Sequence, residues 1–168
     1  MMKRLKPLLT FLAVVLTAPH ALALDAPKGP VILTVRGTLA TPNVDGTAQF
    51  DLAMLEKLAG RKVVTETPWT EGKTEFSGPL LRAILEAAGA KGKTLLVRAI
   101  NDYFAEVPME DATALQTILA SRMNGKVMSV RDKGPLFLIY PFDLDPKLYN
   151  EKYFSRSVWQ IKEIEVKS

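Results

Sequence analysis

The chain has 168 residues, 48% of them hydrophobic, with 22 Lys and Arg against 18 Asp and Glu, one His and no Cys. That balance excludes a disordered, collagen-like or disulfide-stapled chain and fits a single compact domain. The net charge of +4 is concentrated at the front of the sequence, so it is no sign of a nucleic-acid binder.

Lys3, Arg4 and Lys6 lead into an apolar run from Leu8 to Thr17, and Ala21-Leu22-Ala23 is a small-x-small cleavage pattern. Residues 1–23 therefore read as a secretory signal and 24–168 as one exported domain, periplasmic once the signal is cut. Removing 23 residues leaves 145, and losing three bases takes the net charge from +4 to +1. What remains has scattered bases and no stripe to replace the counterions of a polyanion. It also has no apolar run of the ~18 residues needed to span a bilayer. The cut removes His20, the single histidine. A mature chain with neither His nor Cys lacks thiolate nucleophiles, Ser-His-Asp triads, imidazole acid-base groups and ordinary His/Cys zinc sites.

Val31 to Val35 is rich in β-branched residues and stops at Gly37, a first strand. Phe50 to Leu58 places Leu52, Leu55 and Leu58 three apart, with Asp51 near the start and Gly60 beyond the end, a short helix. Lys62 to Thr67 is a strand that runs into Pro68-Trp69, with Trp69 on a polar-rich loop. Ser77 or Gly78 caps a second helix with Pro79 in its first turn and Leu80, Leu81, Ile84, Leu85 and Ala88 on one face. Thr94 to Ile100 is a buried strand, Asn101-Asp102 a polar break, and Tyr103 to Val107 a second extended piece ended by Pro108. Glu110 to Leu115 reads as a helical turn. Ile118 to Met123 and Lys126 to Ser129 flank Asn124-Gly125, the pair that suits the positive φ angles of a type I′ hairpin. Leu136 to Tyr140 and Ile161 to Val166 are the last two strands. Strands and short helices interspersed in this way give an α+β domain with a mixed sheet.

Phe76-Ser77-Gly78-Pro79-Leu80-Leu81, Val107-Pro108-Met109-Glu110-Asp111-Ala112, Met123-Asn124-Gly125-Lys126, Lys133-Gly134-Pro135-Leu136 and Arg156-Ser157-Val158 with Ile164-Glu165-Val166 recur in one order across about three quarters of the mature chain. Together they resemble the molybdopterin-binding domain of the sulfite oxidase family. The resemblance implies that family's fold. Three positions depart from its pattern. Where the family carries a molybdenum-ligating cysteine, this chain has Thr65 or Glu66, neither a soft sulfur donor. A family arginine facing the anionic part of the cofactor is Phe137, and a cofactor-binding lysine is Trp159.

Loss of the metal ligand together with two cations points to a pterin ring held without molybdenum. Trp69 and Trp159 are the candidate stacking faces, while Phe137 reads as core. Asp102 is the leading acceptor for the ring's donor edge, beside Asn101, where a family cofactor contact falls; Asp132 and Glu66 are the alternatives. Arg131, Lys133 and Arg156 are candidates for the carbonyl side or a polar tail, with Ser157 in the same motif as Arg156. Asp102 is equally good Asx-turn chemistry, and Asp132-Lys133 is also read as a solvated turn. The departures resemble small exported pterin-binding proteins of this fold that regulate an inner-membrane enzyme of cyclic-di-GMP turnover. That resemblance implies a sensor or regulatory module whose partner is an inner-membrane protein with a periplasmic domain. The rival expectation is a molybdopterin-dependent oxidoreductase with a cysteine-free site.

Overall fold

The computed structural model describes residues 23–168, so the expected secretory signal lies outside the described residues except for Ala23. Strand β1 (Val31–Gly37) buries Leu33 and Val35 on one face, the alternation expected of its β-branched run. The Phe50 to Leu58 helix begins later than its leucine spacing implies. Ala48–Asp51 is strand β2, antiparallel to β1, and α1 is Leu52–Lys57. Asp51 sits at the junction. Its carboxylate accepts from the Met54 N–H at 2.8 Å as helix cap and from the Gly29 and Lys28 N–H groups at 2.8 and 2.9 Å. Those bonds, Met54's first, hold its pKa below the ordinary carboxylate value.

Strand β3 (Gly60–Thr67) turns through Pro68-Trp69 into β4 (Thr70–Pro79), a ten-residue strand where the sequence shows only polar loop and a helix cap. Ser77, Gly78 and Pro79 thus end a strand. Helix α2 (Leu81–Ala87) is entered from Leu80 without a side-chain cap. Gly78 is needed where it stands, because a Cβ there would lie 2.2 Å from the Leu119 carbonyl oxygen. Strands β5 (Thr94–Ala99) and β6 (Phe104–Pro108) flank the Asn101-Asp102 break, and Met109–Thr113 is α3. The expected Ile118 to Ser129 hairpin is divided. Ile118–Ala120 is β7, while Arg122–Met123 (β8) and Lys126–Val127 (β9) form the hairpin proper. Asn124 and Gly125 take φ of 51° and 77°, as a type I′ turn requires. A 3₁₀ turn, Val130–Asp132, leads to β10 (Phe137–Ile139); α4 (Glu151–Phe154) and β11 (Ile161–Lys167) follow.

The larger sheet has the order β2-β1-β11-β5-β6, with β1 and β11 parallel and the other neighbours antiparallel. The second sheet is β3-β4-β8-β9, and β10 pairs with β7. This is the mixed-sheet α+β architecture with short helices expected above. One core packs α2 residues Leu81, Ile84 and Leu85 with Leu33, Val35, Leu95, Val97 and Ile164 of the larger sheet. A second core, around Val63, Phe76, Ile118, Phe137 and Ile139, has Trp69 and Trp159 packed against it. No helix among the described residues is long and apolar enough to cross a membrane.

Candidate functional site

Where the second core reaches the end of β5, a cavity of about 340 Å³ opens. Its walls are Trp69 from the β3–β4 turn, Phe154 from α4, Trp159 from the approach to β11 and Tyr103 from the β5–β6 turn. Trp69 meets Trp159 and Phe154 edge-on, at 5.5 and 5.8 Å between ring centroids. Phe137 lies beneath, fully buried, 5.7 Å from Trp69, 5.9 Å from Trp159 and 5.7 Å from Phe76. Each edge-to-face pair adds about 0.5 to 1.5 kcal/mol beyond the area it buries, so the rings of the floor hold one another in place energetically. Asn101, Ser155, Ser157 and Gln160 supply the polar part of the lining, and none of the lining residues carries a charge.

The structure therefore brings Trp69, Asn101, Ser157 and Trp159 to one cavity, sets Lys133 against the Trp159 ring that walls it, and places the remaining candidates elsewhere. Asp102, next to Asn101, has φ of 66° and points its carboxylate at Lys162, whose Nζ donates at 2.8 Å. This bond and the charge behind it lower the Asp102 pKa. Lys133 sets its Nζ 5.0 Å from the centre of the Trp159 ring. Asp132 accepts from the Ser129 hydroxyl at 2.8 Å, and Arg131 is exposed on the same 3₁₀ turn. Glu66 is exposed and borders a separate open depression with Lys73, Asp143 and Tyr149. Arg156 donates from Nη1 to Asp111 Oδ2 at 2.8 Å, and the Tyr140 hydroxyl donates to the same oxygen at 2.7 Å. Burial, then the neighbouring carboxylate, raises the Tyr140 pKa far above the phenol range, so its hydroxyl stays a donor. Tyr103, Phe154 and Gln160 were not candidates from sequence. Tyr103 follows the recognised polar break, but nothing in the periodicity marks the other two.

The sequence pattern of the family described as the oxidoreductase molybdopterin binding domain matches residues 18–168. The chain belongs to that family. No curated protein sequence matches it. Among 29 matching solved chains is the sulfane dehydrogenase SoxCD from Paracoccus pantotrophus, with a TM-score of 0.57 and 18% identity over 80% of this chain. At that identity the likeness is one of fold, and the match spans 37% of the SoxCD chain.

For a member of a molybdopterin-binding family, the donor set here is unusual. Thr65 is buried, and its hydroxyl donates to the Glu66 carbonyl oxygen at 3.0 Å. Glu66, the next residue on β3, is exposed, and both residues border the open depression. No group of three or more His, Cys, Asp or Glu among the described residues could hold a metal ion. Hard oxygen donors at positions 65 and 66 do not fit a centre that relies on a soft thiolate.

Proposed function

We propose that this domain binds a free pterin ring in the aromatic cavity, without molybdenum, and that it serves as an exported sensor or regulatory module. One observation carries the reading: a cavity walled by Trp69 and Trp159 has no charged residue in its lining. A flat, neutral heteroaromatic ring satisfies such a surface; a pyrophosphate-bearing or molybdate-bearing cofactor leaves anionic charge unpaired in it. The volume of about 340 Å³ lies near the lower end of the range of small-molecule sites, about 300 to 1,000 Å³, which suits a two-ring ligand better than a nucleotide-extended one. Membership of a family that binds a pterin-type cofactor supports the choice of ring. The regulatory role, and an inner-membrane partner of cyclic-di-GMP turnover, rest on the resemblance to small exported pterin-binding proteins.

The chain has two tryptophans, and both line the cavity, so its indole fluorescence reports on the site alone. Titration with a free pterin is expected to quench that emission, and a phosphorylated pterin to bind no more tightly. Trp159→Ala is expected to weaken binding by about 1 to 3 kcal/mol, the range for a ring stacked on an aromatic face. Trp159→Phe should keep most of the affinity. A clear preference for the phosphorylated ligand, or full affinity in Trp159→Ala, overturns the reading. Elemental analysis of the protein purified from its own periplasm is expected to show far less than one molybdenum per chain; one per chain would favour the cysteine-free oxidoreductase.

A further inference from the structure

The uncharged lining raises the question of what orients a ring inside it. Two of its polar side chains are already committed. Ser155 Oγ donates to the Lys152 carbonyl at 2.8 Å and Ser157 Oγ to the Tyr153 carbonyl at 2.8 Å, so both hydroxyl protons serve the end of α4. The two carboxamides are each half-committed, in opposite senses. Asn101 Oδ1 accepts the Tyr103 N–H at 3.2 Å, which leaves the two donors on Nδ2 without a partner among the described residues. Gln160 Nε2 donates to the Val130 carbonyl at 2.7 Å, which leaves Oε1 as an acceptor without one.

The backbone holds these two residues side by side. The N–H of Ile100, the residue before Asn101, donates to the Gln160 carbonyl at 2.9 Å, and Ile161 pairs with Ala99 across β11 and β5. Gln160 itself is kept at φ of 54°, in the left-handed region, by its N–H bond to the Lys133 carbonyl at 3.0 Å. A non-glycine residue fixed in that conformation at a cavity wall is the kind of local strain that structures retain at binding sites.

We propose that Asn101 and Gln160 form a neutral donor–acceptor pair that reads the lactam edge of the ring, Asn101 Nδ2 donating to the ring carbonyl and Gln160 Oε1 accepting from the adjacent ring N–H. This rests on the pterin reading above and specifies the ligand class further, as a planar ring carrying a cis-amide. It also replaces the acidic residue expected from sequence as the edge acceptor, since the Asp102 carboxylate is bonded to Lys162. A neutral pair of this kind discriminates through mismatch, because a ring with the opposite pattern sets donor against donor and acceptor against acceptor.

The experiment compares free pterin with 2,4-diaminopteridine, a ring of the same size in which an amino group replaces the carbonyl and the adjacent nitrogen loses its hydrogen. Binding is read by tryptophan quenching in the full mature chain. The wild-type protein is expected to bind pterin at least about tenfold more tightly. Asn101→Asp keeps the shape and the oxygen that accepts from Tyr103 but turns the free donor into an acceptor. Each ring then meets one matched and one mismatched group, because Gln160 Oε1 still accepts, so the preference for pterin is expected to collapse towards equal affinity, with the thermal midpoint unchanged. Equal affinity of the wild type for the two rings overturns the lactam pair while leaving pterin binding in place, as does an Asn101→Asp variant that is folded and keeps the wild-type preference. Quenching by neither ring overturns the pterin reading and this pair with it.

Discussion

Phe137→Arg, which restores the cation of the family pattern, is expected to leave the domain at or below its folding threshold. Phe137 is fully buried on β10, edge-on to Phe76, Trp69 and Trp159. Losing that ring costs about 3 to 5 kcal/mol, as for other buried aromatic truncations. A guanidinium in its place finds an aromatic floor and no acidic residue in the cavity above it, so an unpaired buried charge adds to the cost. Against the roughly 5 to 15 kcal/mol by which ordinary domains are stable, the sum is most or all of the margin. The check is the urea midpoint, with Phe137→Leu as the comparison that keeps an apolar side chain and should lose much less. A Phe137→Arg protein with a wild-type midpoint and new affinity for a phosphorylated pterin would show that position 137 faces the ligand.

That result bears on how the site came to be uncharged. Phe137 contacts Phe76, Trp69 and Trp159, and the two tryptophans contact each other, so position 137 cannot be returned to a cation by itself. Sequence reasoning placed Phe137 in the core, where it is fully buried, and offered the two tryptophans as stacking faces; both are partly buried against that core and line the cavity. The signal was the setting of each residue: Phe137 in an unbroken apolar strand, Trp69 after Pro68 among polar residues.

Other parts of the site were illegible for reasons that are equally local. Strand β4 escaped detection because threonine fills part of its inward face. Thr74 is buried beside Phe76, as Thr65 and Thr67 are on β3, so the strand has period-two burial without period-two hydrophobicity. Asp102 was chosen as a ring acceptor because its carboxylate stands in a polar break. Its partner Lys162 is sixty residues away, and only the pairing of β11 with β5 brings it close. Gln160 carries no motif at all. The role proposed for it rests on hydrogen bonds to Val130 and Lys133 that belong to the tertiary structure.

The strongest single-site dependence outside the cavity is expected at Arg156. Its guanidinium and the Tyr140 hydroxyl share one oxygen of Asp111, while Thr117 Oγ1 donates to the Asp111 carbonyl at 2.8 Å. This cluster ties α3 to the segment that carries Ser157, Trp159 and Gln160 to the cavity wall. The Asp111 side chain is 9% exposed and that of Arg156 20%, so removing the cation strands the carboxylate with Tyr140 alone. Arg156→Met is expected to cost about 3 to 5 kcal/mol of stability, the scale for breaking one side of a buried pair. Asp111→Asn should cost less, because the freed guanidinium is near enough to the surface to reach water. The double variant should then be more stable than the two single losses predict by addition, since it contains no stranded carboxylate. Denaturant midpoints of the three variants give the coupling directly. They also separate this anchoring role from the direct ligand contact that the sequence offered for Arg156. A contact to ligand would lower pterin affinity in Arg156→Met with the midpoint unchanged, whereas an anchor lowers the midpoint first and takes the cavity wall with it.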